Sequence, residues 1–189
     1  MIINGIDLSN HFIIFDSNGL MHKEFQRFIR STLVDNYNET LQKKNVKDFR
    51  ILIPEAALAE LENLSQRPGS ENLQTRTDAM DGWELAKRLI QANYAEIMRS
   101  DYTGTVGRFN DVALLTIFME LRRHTNVALL TNDRRLATDV LNLNLLQSVE
   151  SKFSVKALFV DLRNEQLHEW LLDPEKREAK RFDSEILRK

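Results

Sequence analysis

Four acidic residues in this chain stand at the ends of short apolar segments or in the helical patterns next to them. They are Asp16, Glu60, Asp111 and Asp133. Asp16 directly follows the run Phe12–Phe15, whose four apolar residues are typical of a strand that is buried on both faces. A buried strand that runs straight into a carboxylate departs from the usual pattern of polarity, so the acid needs an explanation.

Carboxylates that converge on one site repel one another and need a cation between them. Hard oxygen ligands, with no histidine or cysteine in the set, suit Mg²⁺ or Mn²⁺ better than zinc. Each acid also has an ordinary explanation. Asp16 and Asp133 could cap the helices that follow them, Asp111 suits a first helical turn, and Glu60 could be a solvated helix residue.

The strands of the predicted fold are apolar runs that do not alternate with polar residues. They are Phe12–Phe15, Phe49–Ile53, Val127–Leu130 and Ala157–Val160, separated by helical patterns. This order predicts a three-layer α/β sandwich with a central parallel sheet of four or five strands, in which Phe12–Phe15 is central and the strands ending at Ile53 and Thr131 flank it. The predicted inner core comprises Ile13, Phe15, Leu52, Leu61, Leu115, Leu129, Leu130 and Phe159.

The chain divides into a core domain, residues 1–162, and a tail, residues 163–189. Within the core domain, residues 66–109 read as an insertion with one long helix and the loop Tyr102–Arg108. The tail is predicted to be helical, with a stop at Asp173-Pro174 before a second, charged helix. Because carboxyl ends of parallel strands share one edge of a sheet, the four acids are expected to meet there.

Composition excludes several classes of protein. The 189 residues include no cysteine, which excludes thiol catalysis and zinc–thiolate sites and suits a cytoplasmic location. The net charge is −2, so a nucleic-acid partner would need a local basic patch. The N-terminal sequence does not resemble a signal peptide, and no apolar run approaches the roughly 20 residues of a membrane span, so no membrane partner is expected. The four histidines lack metal-ligand spacing.

Four segments in this order resemble the motifs of the PIN-domain nucleases. They are Asp16-Ser17-Asn18 after a strand, "ILIPEAALAEL" with Glu60, "NDVALL" with Asp111, and "ALLTNDRRLA" with Asp133. The resemblance covers roughly residues 11–65 and 108–162. The stretch after Glu60 is similar to the longer PIN domains of RNA-processing factors rather than to the compact PIN toxins.

The resemblance implies a metal-dependent endoribonuclease that cleaves single-stranded or unpaired RNA. Asp16, Glu60, Asp111 and Asp133 would hold one or two Mg²⁺ or Mn²⁺ ions, and a metal-activated water would attack the phosphate. The side chains expected to orient the acids or the phosphate are Asn18, Thr131 and Asn132. Arg134 or Arg135 could reach a phosphate, although a solvated helix start explains both equally well.

Other functions share parts of this pattern. A nuclease acting on DNA, or a toxin under the control of a regulatory protein, would have the same acids. A non-enzymatic PIN scaffold would be expected to have lost one or more of them, yet all four positions are filled. A haloacid-dehalogenase phosphatase needs a second aspartate two residues after the first, where this chain has Asn18. A homodimer remains open as a further partner.

Overall fold

The structure is a computed structural model that describes residues 1–42, 50–69, 72–99, 111–146 and 152–181. Its strands are β1 (Ile2–Ile3), β2 (Ile6–Asp7), β3 (His11–Phe15), β4 (Arg50–Pro54), β5 (Glu96–Met98), β6 (Asn126–Leu130), β7 (Val155–Asp161), β8 (Gln166–Leu172) and β9 (Ala179–Arg181). Its α-helices are α1 (Ser17–Met21), α2 (Lys23–Phe28), α3 (Val34–Gln42), α4 (Glu55–Ser65), α5 (Leu73–Gln91), α6 (Asp111–Leu121) and α7 (Arg134–Asn142). A π-helical stretch, Ile29–Leu33, joins α2 to α3, and a 3₁₀ turn, Leu143–Leu145, follows α7.

The central sheet has the strand order β5-β4-β3-β6-β7-β8-β9. The first five strands in that order are parallel, whereas β8 and β9 run antiparallel to their neighbours. Strand β3 pairs with β4 on one side and β6 on the other, in the register Ile13↔Ile51 and Ile13↔Ala128. The prediction of a parallel α/β sheet with Phe12–Phe15 at its centre is therefore confirmed.

Helices cover both faces of this sheet. Successive side chains of a strand point to opposite faces, and in an apolar run such as that of β3 the side chains on both faces need to be buried. Along β3, Ile13 and Phe15 pack into a core shared with helices α1, α2, α4 and α5. Ile14 points the other way, into a second core with Phe118 of α6 and Val140 of α7. The apolar run is thus buried on both sides, and β3 becomes a rigid mount for the residue that follows it.

The predicted core is confirmed except at one position. Seven of the eight residues are buried, whereas Leu115 is only partly buried. Helix α6 turns Leu114 and Phe118 toward the sheet instead, and each of these is fully buried. In a helix neighbouring positions lie about 100° apart, so a one-residue error in phase moves a side chain from the core to its margin.

The prediction of a helical C-terminal extension is wrong over its described part. Residues 166–172 and 179–181 form β8 and β9, which add two antiparallel strands to the sheet and raise it from the expected four or five strands to seven. Residues 182–189 lie outside the described part. In β8, Leu167, Trp170 and Leu171 recur at i, i+3 and i+4, a spacing that also suits a helix. The segment is a strand because it forms hydrogen bonds with β7.

The insertion 66–109 contains the predicted long helix, α5, and also β5, which extends the parallel sheet beyond β4. Helix α5 approaches α1 closely at Gly82, where an added Cβ would lie 2.7 Å from the carbonyl oxygen of Leu20. A side chain at this position would push the two helices apart. The loop Tyr102–Arg108 lies outside the described residues, and the division between 1–162 and 163–189 stays a prediction.

Candidate active site

A cavity of about 310 Å³ opens at the carboxyl ends of the central strands. Three of the four predicted acids line it: Asp16 after β3, Glu60 in α4 after β4, and Asp133 after β6. Since β4, β3 and β6 are adjacent, acids that are 44 and 73 positions apart in the chain meet at one edge of the sheet. The other lining residues are Ser17, Asn18, Met21, Leu64 and Leu136.

Asp16 is held by hydrogen bonds on both carboxylate oxygens. Its Oδ1 accepts the backbone N–H of Asn18 at 3.2 Å, so Asp16 is also the N-cap of α1. Its Oδ2 accepts the hydroxyl of Thr131 at 2.7 Å. Asp16 is 5% exposed and Thr131 is fully buried. The capping explanation is correct, and it fixes the carboxylate at the floor of the cavity.

Ser17 joins Asp16 to Glu60. Its hydroxyl donates to Oε2 of Glu60 at 2.7 Å and lies 3.4 Å from Oδ1 of Asp16. Helix α4 buries Ala57 and Leu61 against the sheet, and this phase directs the half-buried Glu60 toward α1 rather than into bulk solvent. Glu62, two residues later, is exposed.

Asp133 is the N-cap of α7, as its ordinary explanation predicts. Its Oδ1 accepts the backbone N–H groups of Arg135 at 2.7 Å and Leu136 at 3.2 Å. Its own N–H donates to the hydroxyl oxygen of Thr131 at 3.0 Å. Because the cap uses Oδ1, Oδ2 keeps its lone pairs for another partner. One threonine hydroxyl therefore connects Asp16 and the backbone of Asp133.

Asp111 is the first residue of α6, but its side chain lies outside the described part of the structure. Its convergence with the other three acids stays a prediction.

The electrostatics of the cavity favour a cation. Burial raises the pKa of Asp16 above its usual value of 3.8, and the negative charges of Asp133 and Glu60 raise it further, against the hydrogen bonds from Thr131 and Asn18. Among the ion pairs of the described residues, none involves Asp16, Glu60 or Asp133. No described side chain therefore supplies a counter-charge to these three acids.

The donor set fits a hard divalent cation in its chemistry, since every side-chain donor is a carboxylate oxygen. The described side chains do not by themselves enclose an ion, because no three His, Cys, Asp or Glu residues among them come close enough together. A site made by Asp16, Glu60 and Asp133 therefore needs water, substrate oxygens or a further acid to complete the coordination.

Comparison with known proteins assigns the chain to a family. The model of the PIN domain matches residues 13–148, which is most of the chain. The chain belongs to the PIN-domain family. PIN domains are generally nucleases.

A solved structure agrees with the fold of this PIN domain. The chain superimposes on the PIN domain endonuclease Utp24 with a TM-score of 0.50 and 15% sequence identity, over 93% of this chain and 98% of the other. At that identity the likeness supports the fold alone. No curated protein sequence matches the chain in a sequence comparison.

The predicted orienting residues of the PIN domain differ in what they contact. Thr131 orients Asp16, as described, and Asn18 lines the cavity. The side chain of Asn132 instead forms two hydrogen bonds with the backbone of Val160, accepting its N–H at 3.1 Å and donating to its C=O at 3.2 Å. Asn132 joins β6 to β7 and does not contact the acids.

The two arginines after Asp133 are placed differently from each other. The guanidinium of Arg134 points to the start of β9. Its Nε donates to the carbonyl of Ala179 at 2.7 Å, and its Nη2 pairs with Glu178, just before the strand, at 2.8 Å. Arg135 is exposed at the first turn of α7, and its side chain makes no hydrogen bond or ion pair with a described residue. Neither arginine lines the cavity.

Ser17 and the apolar wall of Met21, Leu64 and Leu136 were not foreseen as parts of the site. The only feature of the sequence that could have marked Ser17 as part of the site is its position between two candidate residues, Asp16 and Asn18. The apolar three belong to separate helices, and no local pattern marks them as neighbours. Within the described residues, no helix is long and apolar enough to cross a bilayer.

Proposed function

We propose that this PIN domain is a divalent-metal-dependent endoribonuclease that cleaves single-stranded or unpaired RNA. The observation that carries the proposal is the meeting of Asp16, Glu60 and Asp133 in one cavity at the carboxyl ends of adjacent parallel strands. Membership of a family of nucleases supports the reaction class. Asp111, at the start of α6, is the proposed fourth acid.

The acids of the cavity would hold Mg²⁺ or Mn²⁺. Such an ion supplies an activated water and offsets the charge on the scissile phosphate. Asp16 is the proposed central ligand because β3 is rigid and two hydrogen bonds fix its carboxylate. Glu60, held by Ser17, and Asp133, held by the cap of α7, bring their charge to the same cavity from two other directions.

The same acids repel a phosphate backbone when no cation is present. Binding of metal would therefore reverse the sign of the cavity and create the phosphate site together with the catalyst. Arg135 is the proposed phosphate contact of the protein, since its exposed guanidinium is free of described partners at the helix turn that Asp133 caps. Arg134 is the weaker candidate, because Glu178 already balances its charge.

The choice of RNA rests on the similarity to the longer PIN domains, and no described residue distinguishes a 2′-hydroxyl. Single strands are proposed because the acids lie in a recess, which admits one backbone more easily than a duplex. The cytoplasm is the proposed location, since the chain carries no cysteine.

The test is cleavage of labelled single-stranded RNA, single-stranded DNA and duplex RNA with Mn²⁺, with Mg²⁺ and with EDTA. Wild type should cleave single-stranded RNA with metal only, and Asp16→Asn should abolish cleavage while its circular dichroism spectrum stays native. Asp139→Asn is the matched control, because Asp139 lies on α7 and does not line the cavity. It should cleave like wild type.

Each other result has a defined meaning. Cleavage that persists in EDTA or in Asp16→Asn refutes the proposed mechanism. Cleavage of DNA in preference to RNA would change the proposed substrate to DNA and leave the proposed metal-dependent reaction unchanged. A wild type that binds Mn²⁺ but cleaves nothing favours a nuclease held off by a regulatory protein or a second copy, and one that binds no metal favours the scaffold.

A further inference from the structure

A tryptophan on the C-terminal strands contacts the backbone beneath the acids. The indole Nε1–H of Trp170, in β8, donates to the carbonyl oxygen of Thr131 at 3.1 Å. Trp170 is 3% exposed and Thr131 is fully buried, so this hydrogen bond is shielded from water. The hydroxyl of the same Thr131 donates to Asp16. Two hydrogen bonds thus lead from β8 to the central acid.

Strand β9 and the turn before it contact the helix whose N-cap is Asp133. Arg134 of α7 donates to Ala179 and pairs with Glu178. One turn later, the hydroxyl of Thr138 accepts the N–H of Ala179 at 2.8 Å. At the end of α7, Asn142 donates to the carbonyl of Arg177 at 3.1 Å. Helix α7 is therefore held along its length, which fixes the position of Asp133.

The segment that makes these contacts lies beyond residue 148, where the match to the PIN-domain model ends. Its contacts nevertheless reach Thr131 and Arg134, on either side of Asp133. We propose that Trp170 is a positioning residue of the metal site, and that β8 and β9 hold Asp16 and Asp133 in the geometry that binds the cation. This inference rests on the proposed function, because it assumes that these acids bind metal.

The physical reason lies in the burial of the hydrogen bonds. A buried carbonyl that loses its donor shifts toward another partner, and the peptide plane of Thr131 turns with it. The hydroxyl of Thr131 would then leave the line to Oδ2 of Asp16. Removal of a direct hydrogen-bond partner of a metal ligand commonly changes metal affinity 10- to 100-fold. Trp170 acts through Thr131, one residue further from the ligand, so an effect at the lower end of that range is expected.

The decisive variant is Trp170→Phe, which keeps an aromatic ring and removes the N–H donor. Mn²⁺ affinity, measured by calorimetric titration of the full chain, should fall about 10-fold. Trp83→Phe is the matched control, since Trp83 lies on α5 with Lys87 over its ring at 3.6 Å and is the only other tryptophan. Its Mn²⁺ affinity should equal that of wild type.

A second control separates positioning from general stability. Phe159 packs against Trp170, with ring centroids 4.8 Å apart. Its side chain has no hydrogen-bond donor, so it contributes packing but no hydrogen bond to Thr131. Phe159→Leu should lower the melting temperature and leave Mn²⁺ affinity unchanged. If Phe159→Leu weakens Mn²⁺ binding as much as Trp170→Phe does at temperatures where both are folded, Trp170 has no positioning role.

A fluorescence measurement tests the same contact should Trp170→Phe fail to fold. In the Trp83→Phe protein all indole emission comes from Trp170, so Mg²⁺ binding at the acids should change that emission. The change should vanish in Trp83→Phe combined with Asp16→Asn. The inference is overturned if a folded Trp170→Phe binds Mn²⁺ with wild-type affinity. It is also overturned if the Trp170 emission does not change in a protein that binds Mg²⁺. Neither result affects the nuclease proposal. Absence of metal binding in wild type overturns both.

Discussion

The hydroxyl of Thr131 donates a 2.7 Å hydrogen bond to Oδ2 of Asp16, although the two residues are 115 positions apart. It also accepts the N–H of Asp133 at 3.0 Å. Strands β3 and β6 pair in parallel, with Phe15 opposite Leu130, so the residue after each strand reaches the same point. The floor of the cavity is therefore a direct product of strand register.

Loss of the Thr131 hydroxyl is expected to weaken the site. Thr131→Val keeps the shape of the side chain and leaves Oδ2 of the buried Asp16 without its donor. Unfolding in urea should show a loss of about 1–3 kcal/mol, and Mn²⁺ affinity should fall about 10- to 100-fold. Thr131→Ser, which retains the hydroxyl, should restore most of the affinity. Equal affinities for the valine and serine variants would contradict the role given to this hydrogen bond.

Glu60 and Glu62 offer a matched pair on α4. Glu60 lines the cavity and Glu62 is exposed. Free metal at ten times its dissociation constant should stabilise the wild type by about 1.4 kcal/mol. Each kcal/mol of stabilisation should raise the melting temperature by roughly 2–4 °C. Glu60→Gln should reduce that shift at the same metal concentration, and Glu62→Gln should not. Identical shifts in both variants would remove Glu60 from the ligand set.

Ser17 is expected to act through Glu60. Ser17→Ala removes the donor to Oε2 of Glu60 and frees that carboxylate to sample other rotamers. The Mn²⁺ dissociation constant, from calorimetric titration, should rise about 10-fold. Ser31→Ala provides the control, because the Ser31 hydroxyl is exposed and donates to the carbonyl of Arg27. An unchanged constant in Ser17→Ala would leave the bridge without a role in binding.

The raised pKa of Asp16 predicts how stability varies with pH in the metal-free protein. Because burial raises the pKa, the native state holds the proton at pH values where the unfolded chain has lost it. The wild type should therefore lose stability as pH rises above 3.8 through the raised value. Asp16→Asn cannot ionise and should not show this loss. Urea unfolding in EDTA should give a gap between the two proteins that widens with pH, and parallel profiles would disprove the assignment.

The lowered pKa of His11 predicts a loss of stability in the other direction, as the pH decreases. Burial lowers its pKa from 6.5 to about 4, with a further contribution from Lys156, and neither ring nitrogen has a hydrogen-bond partner in the described structure. Below pH 6.5 the unfolded chain binds a proton that the native state rejects. Stability should then fall toward pH 4 by at most about 1.4 kcal/mol per pH unit. His11→Met should abolish this slope, and His124→Gln, at an exposed histidine, should keep it.

Much of the site follows from local features of the sequence. Short apolar runs with no alternation predicted β3, β4, β6 and β7 as strands of a parallel sheet. Because parallel strands run in one direction, their carboxyl ends lie at the same edge of the sheet. Asp16 and Asp133 could be placed at those ends because each lies within three residues of a run. The phase of Ala57 and Leu61 on α4 also distinguishes Glu60, which lines the cavity, from the exposed Glu62.

Other parts depended on partners that no local pattern shows. The segment Gln166–Leu172 carries apolar residues at a spacing that suits a helix, and only pairing with β7 makes it a strand. Short strands such as β5 and β9 have three residues each, too few for any periodicity. Their conformation comes from hydrogen bonds to a neighbouring strand.

Arg134 shows the difference most clearly. The sequence determined that a base follows Asp133, and a base beside an acid cluster is a reasonable phosphate ligand. The tertiary structure decided that its guanidinium faces Glu178 and Ala179, more than 40 positions later, where a strand begins that the sequence did not predict. Residue type and local spacing set what a side chain is able to bind, whereas the fold sets which partner is within reach, because a long flexible side chain takes the direction in which its charge is balanced.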